Sequence, residues 1–225
     1  MSTSTNNTRA VFDATAAAYD RDRMLLLPGH EAFYSAALAQ IPFDAATIVE
    51  LGAGSGLFSA MLRAAFPAAH LHLIDFSQPM LDLARQRLGN APHITYTLAD
   101  YTVGPLPACS AVVSSLSIHH LEDDRKRALF PLIFDALQPG GVFLNADQVA
   151  GPTPALEALY QQRWLEGVRA LGATEQQIAD SLYRQLEDRR TPLDQQLEWL
   201  RNAGFIDIDC CYKSNSFAVF GGTRP

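Results

Sequence analysis

With 225 residues, 48% of them hydrophobic and 18% charged, the chain can bury one sizeable core, which argues against two full domains. Its net charge of -7, with no compensating Lys/Arg cluster, would repel a phosphate backbone, so no nucleic-acid partner is expected and a small molecule is the better substrate. The polar start MSTSTNNTRA lacks a signal-peptide pattern, and no apolar run reaches the roughly 20 residues of a membrane span. A cytoplasmic protein without a membrane partner is therefore expected.

Taken in chain order, residues 8–40 read as helices broken at LPGH. Short apolar or β-branched runs then recur at 47–51 (TIVEL), 70–75 (HLHLID), 93–98 (HITYTL), 110–116 (SAVVSSL) and 141–146 (GVFLNA). Helical patterns or loops separate them, which predicts βαβ units and a parallel sheet. In DFSQPMLDLARQRLGN, Ser77 can cap, Pro79 sits in the first turn, and Gly89 stops the helix. Residues 152–190 form a long insertion opened by Pro152 and Pro154. In TPLDQQLEWLRNAGF, Thr191 can cap, Pro192 suits the first helical position, and Gly204 ends the helix before the strands FIDIDCCY and SFAVFGG. Helices at 8–40 and in the insertion can cover the carboxyl ends of the strands, where open α/β sheets bind ligands.

The glycines of VELGAGSGLF stand where the first strand meets its helix. Gly52 allows a tight turn, Gly54 lets backbone approach a ligand, and Gly56 permits close helix packing. The spacing is GxGxG with Leu57 next, so the GxGxxG dinucleotide fingerprint is absent and a nucleoside is favoured over a pyrophosphate. Asp75 closes the second run, where a carboxylate can accept from ribose hydroxyls, and Asp100 closes the third, followed by Tyr101. With Glu50 they form an acidic groove suited to a cationic, phosphate-free nucleoside.

These ordered motifs (VELGAGSG, LIDFSQPML, LADYT, VVSSLSIHHL and LQPGGVF) resemble the class I S-adenosylmethionine-dependent methyltransferases over about residues 10–222. The resemblance implies an α/β, Rossmann-like fold with a seven-stranded sheet ordered 3-2-1-4-5-7-6, strand 7 antiparallel. It implies one domain, with lid helices at 8–40, a cofactor-binding core at 41–150, a helical substrate cap at 151–190, and a C-terminal helix and strands at 191–225. S-adenosylmethionine is the implied cofactor and S-adenosylhomocysteine the product. Carried over residue by residue, Gly52, Ala53 and Gly54 line the methionine part, Asp75 holds the ribose, and Phe76 and Met80 pack on adenine. Asp100 accepts the adenine amino group beside Tyr101, and Ser115 faces the sulfonium. Tyr19, in FDATAAAYD, either closes over the cofactor or packs on the core.

MLLLPGHEAFY, SSLSIHHLEDDRKRALF and the C-terminal stretch also resemble carboxy-S-adenosylmethionine synthases. In that group an aromatic after Pro-Gly and an arginine in the insertion contact the cofactor; the matching positions here hold His30 and Arg184. A guanidinium binds carboxylates bidentately, so Arg184 suits a modified cofactor or an acidic acceptor. The glycine loop and His30 depart from that group, so methyl transfer to N, O or S of a small metabolite, with or without a carboxylate, ranks first. A synthase-like enzyme or a non-catalytic nucleoside-binding protein stand as alternatives.

If the acceptor arrives protonated, His119 and His120 are the candidate bases; adjacent residues point different ways, so at most one is expected in the pocket, with His120 preferred, and packing or capping of the following helix by both is the alternative. The HHLEDD spacing matches no zinc pattern, and no metal is expected. Cys109, Cys210 and Cys211 fit neither a disulfide framework nor a CxxC site. Tyr160, Trp164, Tyr183 and Arg184 mix aromatic area with charge, either as the acceptor pocket or as the cement of a cap or homodimer interface.

Overall fold

The computed structural model describes residues 23–225. Seven strands form one sheet: β1 (Thr47–Leu51), β2 (His70–Asp75), β3 (Ile94–Leu98), β4 (Cys109–Ser115), β5 (Leu137–Gln148), β6 (Ile206–Ser214) and β7 (Phe217–Thr223). Their order is β3-β2-β1-β4-β5-β7-β6, parallel from β3 through β5, with β7 antiparallel to both of its neighbours. The chain leaves β1 in one direction across the sheet and returns to β4 on its other side. That reversal opens a crevice at the carboxyl ends of β1 and β4.

The sheet is covered on both faces, and its alternation shows how. Ile48, Leu71, Leu73, Ala111 and Val113 point into one apolar cluster, while Val49, Leu51, Ile74 and Val112 point into the other. This is the period of two expected of strand side chains. The first cluster takes in Phe33 of α1 (His30–Ala39), Leu62 of α2 (Leu57–Ala65), Trp164 of α5 (Pro154–Ala170) and Ile178 of α6 (Glu175–Gln185). The second packs Phe130 of α4 (Asp123–Ala136) and Leu200 of α7 (Leu193–Asn202). Between β2 and β3, α3 (Gln78–Leu88) starts at Ser77, whose hydroxyl accepts from the Met80 N–H, and ends at Gly89 with φ 73°.

Three boundaries differ from expectation for local reasons. β4 ends at Ser115 because Leu116 turns the chain with φ 49°. β5 starts at Leu137, since that residue pairs with Cys109 and the Gly140 N–H finds the Arg224 carbonyl. Thr191 does not cap α7, which has Pro192 at that position. The Thr191 hydroxyl accepts from Lys126 Nζ at 2.7 Å and donates to the Asp123 carboxylate instead. Among the described residues no helix is long and apolar enough to cross a membrane.

Candidate functional site

The loop between β1 and α2 is tied to β2 by two N–H donors, Gly52 and Ala53, which share the Ile74 carbonyl. The next donor, Gly54 N–H, reaches Asp75 Oδ2 at 2.8 Å, and Ser77 N–H reaches Asp75 Oδ1 at 2.8 Å. Backbone geometry thus fixes the Asp75 carboxylate at the strand tip. The two glycines have different reasons to lack side chains. A Cβ on Gly52 would collide with the Ser117 side chain, whereas a Cβ on Gly54 (φ 55°) would meet nothing and extend into open space. That space is a cradle cavity of about 560 Å³. Gly56 packs on Ala84 of α3.

Gly52, Ala53, Gly54, Asp75, Phe76, Met80, Ser115 and His120 all line this cradle. Glu50 forms its floor, 1% exposed, with one oxygen accepting from Ser59 Oγ at 2.5 Å. Burial pushes the Glu50 carboxyl up to about 8, with a smaller push from Asp75, against the pull of the Ser59 hydrogen bond and of Arg23. Arg23 also lines the cradle and donates to the Tyr34 hydroxyl at 2.9 Å and to Ser115 Oγ at 3.4 Å.

Asp100, Tyr101 and His30 are not among the residues lining either cavity. Asp100 pairs with Arg125 at 2.8 Å; burial raises its carboxyl, but hydrogen bonds from Thr102 and Arg125 outweigh this and hold it below the usual range. Tyr101 is buried behind the loop, its hydroxyl 2.9 Å from Ser117 Oγ. His30 begins α1. Tyr19 lies outside the described residues.

A second cavity of about 630 Å³ lies under α5 and α6, and Arg23, Leu116 and His120 line both spaces. Trp164 and Arg184 line this cap cavity with Leu26, Gln148, Gln185 and Phe217. The Trp164 indole N–H donates to the Leu26 carbonyl at 3.0 Å. The other two expected acceptor residues are not part of the lining. Lys213 Nζ sits over the Tyr160 ring at 4.6 Å, and Tyr183 is 67% exposed.

The adjacent histidines differ from the expectation that at most one would face the site, for both line the cap cavity. They lie in a 3-10 turn, Ile118–His120, which sets their ring centroids 3.9 Å apart. His119 is held between Asp147 (Nδ1 to Oδ1, 2.5 Å) and Asp188 (Nε2 to Oδ1, 3.3 Å), and His120 Nδ1 lies 3.2 Å from the same Asp188 oxygen. Burial lowers the His119 ring, but the two carboxylates prevail and lift it to about 9; burial and the charge of His119 push His120 down. Asp147 lies one residue before the end of β5, much as Asp75 ends β2, a signal the sequence contained. Asp188 had none: 68 residues separate it from His120, in the segment between α6 and α7.

A family model for the methyltransferase domain matches residues 48–141. A demethylmenaquinone methyltransferase of Clavibacter sepedonicus is 29% identical over 206 residues, covering 89% of this chain and 82% of that protein. A carboxy-S-adenosyl-L-methionine synthase of Nautilia profundicola is 24% identical over 180 residues, 79% and 76% of the two chains. The solved apo structure of the S-adenosylmethionine-dependent methyltransferase SibL shares the fold, with a TM-score of 0.64 at 20% identity; the match covers 87% of this chain and spans 55% of that chain's length. The open space at Gly54, beside an Asp75 carboxylate fixed by two N–H groups, fits a nucleoside cofactor entering along the loop. By motif order, strand order and relatives, the chain resembles the class I S-adenosylmethionine-dependent methyltransferases and has their fold.

Proposed function

We propose that this protein transfers a methyl group from S-adenosylmethionine to an N, O or S nucleophile of a small, carboxylate-bearing metabolite. The observation that carries this is the junction of the two cavities at Arg23, Leu116 and His120, beside Ser115. Bound in the cradle, the cofactor supplies an electrophilic methyl on a sulfonium. The protein's task is alignment and exclusion of water, because an in-line displacement needs the nucleophile and methyl held in contact. Asp75 accepts from the ribose hydroxyls, Glu50 offers a carboxyl to the cationic methionine end, and Phe76 and Met80 provide apolar area for the base. On the acceptor side, Arg184 holds the carboxylate, while Trp164 and Phe217 close the cavity against solvent.

A carboxy-S-adenosylmethionine synthase-like activity is the second reading, favoured by the relative of that name and by Arg184 in the cavity next to the cradle. Mass spectrometry of the small molecule released from denatured protein, calorimetry with S-adenosylhomocysteine, and a methylation screen of small carboxylic acids test both. Arg184→Ala is expected to lower acceptor turnover at least ~10-fold, the scale of a lost charged hydrogen bond, with unchanged S-adenosylhomocysteine affinity. Equal turnover of every acceptor by this variant removes Arg184 from the site; release of a carboxylated S-adenosylmethionine promotes the second reading; absence of S-adenosylhomocysteine binding overturns both.

A further inference from the structure

The wall of the cap cavity carries nitrogen and oxygen donors at metal-ligand spacing. One donor atom from each of His119, His120 and Asp188 falls within 4.8 Å of the others. The two imidazole nitrogens stand 3.3 Å and 3.2 Å from Asp188 Oδ1. Ligands bound at about 2.1 Å to one ion are about 3.0 Å apart at octahedral and about 3.4 Å apart at tetrahedral angles, so both separations match ligand edges.

Two further observations point to a cation. The Asp188 side chain is only 5% exposed, yet its Oδ2 has no hydrogen-bond partner among the described residues. A buried carboxylate oxygen in that condition is short of a hydrogen-bond donor or a bound cation. Behind His119, Asp147 Oδ1 holds Nδ1 at 2.5 Å while Oδ2 accepts the His119 backbone N–H at 3.0 Å, and Asn145 Nδ2 and the Gln148 N–H support Asp147 in turn. A carboxylate on one ring nitrogen, fixing the other outward, is the usual support of a metal-bound histidine.

We propose that His119, His120 and Asp188 bind one divalent transition-metal ion, with Asp147 as the positioning residue behind His119. Two imidazoles and a carboxylate suit zinc, iron(II), cobalt or nickel better than calcium or magnesium. Three protein ligands leave coordination positions open, and all three residues line the cap cavity. The ion can therefore hold an oxygen of the acceptor whose carboxylate Arg184 pairs, such as an α-hydroxy or α-oxo acid. That substrate class rests on the proposed methyl transfer; binding of the ion does not.

The full chain, stripped with a chelator, is titrated with Co²⁺ alone and followed by visible absorption. One equivalent with ligand-field bands is expected, displaced by Zn²⁺. Asp188→Asn and His120→Ala are each expected to weaken Co²⁺ binding at least ~100-fold, and Asp147→Asn by ~10–100-fold. Circular dichroism and a thermal melt of each variant establish that it is folded, and two separate ligand variants keep the result readable if one is not. Absence of bands in the wild type, or wild-type affinity in folded Asp188→Asn and His120→Ala, overturns the proposal. Titration of the metal-free protein with S-adenosylhomocysteine separates this from the methyl-transfer reading: binding there with no Co²⁺ bands removes only the metal site, and the converse only the transferase assignment.

Discussion

Gly52 and Gly54 are two residues apart and lack side chains for opposite reasons, so the same substitution separates folding from function. Gly52→Ala drives a Cβ into Ser117, whose hydroxyl pairs with Tyr101, and should cost about 2 kcal/mol or more of stability. At Gly54 the Cβ meets no protein atom, so Gly54→Ala should cost only about 1 kcal/mol for its positive φ, yet weaken S-adenosylhomocysteine at least ~10-fold by filling the cradle. Urea denaturation paired with calorimetry reads both effects, and full affinity in Gly54→Ala would move the cofactor off the loop. Glu50 carries the same conflict in charge. Its carboxyl rises from 4.5 to about 8 on folding, so the native state binds a proton that the unfolded chain gives up. Its contribution to stability is therefore greatest below pH 4.5 and is lost as pH rises to about 8. Glu50→Gln should leave stability at pH 4.5 almost unchanged and raise it at pH 8 by on the order of 3 kcal/mol, while weakening S-adenosylmethionine binding. A gain in denaturation midpoint that does not vary with pH would mean that Glu50 is ionised in the folded protein. The sequence exposed Glu50 and Asp75 because both lie at strand tips next to the glycines. It could not expose Asp188, which enters the site only through the path of the cap.

At the scale of elements, strands were legible because each is apolar, short and bounded by turn residues; β1 and β2 have the bounds their runs suggested. Helix starts were legible where the cap is local, as at Ser77, and misleading where tertiary partners compete for the side chain, as at Thr191. The competitor there is Lys126 of α4, whose side chain is fully buried. Its Nζ donates to Asp123 Oδ1 at 3.1 Å, to Thr191 Oγ1 at 2.7 Å and to the Arg189 carbonyl, clamping the return from cap to sheet. Lys126→Ala leaves these acceptors without their cation and should cost about 2 kcal/mol, since Asp123 is half exposed and water compensates part of the loss. The return segment should also open locally: trypsin is expected to cleave after Arg189 or Arg190 several-fold faster than in the wild type. Unchanged cleavage with lowered global stability would show that Lys126 acts through the core and not as a clamp.

Over the whole molecule, cap and sheet are one packing unit. Trp164, Val168 and Ile178 of the cap lie in the same buried cluster as Phe33, Leu62 and Val113, and Ala150 bridges to Pro192 where the cap returns. Strand order followed from the family resemblance, since alternation of strands and helices by itself predicts a parallel sheet without ordering it. A cap at 151–190 followed from the family resemblance, but which of its side chains face a cavity was not legible, because aromatic area mixed with charge fits an acceptor pocket, the cement of a cap or a dimer contact equally well; the structure puts Trp164 and Arg184 in the cavity that adjoins the cradle. A shared core means that the cap has no separate hydrophobic interior to keep it folded once the sheet opens, so a single cooperative thermal transition is expected. A ligand in the cradle touches the tips of β1, β2 and β4 and should shift that whole transition. At about 100 times its Kd, S-adenosylhomocysteine adds about 2.7 kcal/mol, which for a chain of this size raises Tm by roughly 5–10 °C. Removing the ligand by dialysis should return the melt to its starting point. An early, ligand-independent step in calorimetry would instead make the cap an autonomous unit that opens and closes over a preformed sheet, and acceptor entry would then be set by that motion.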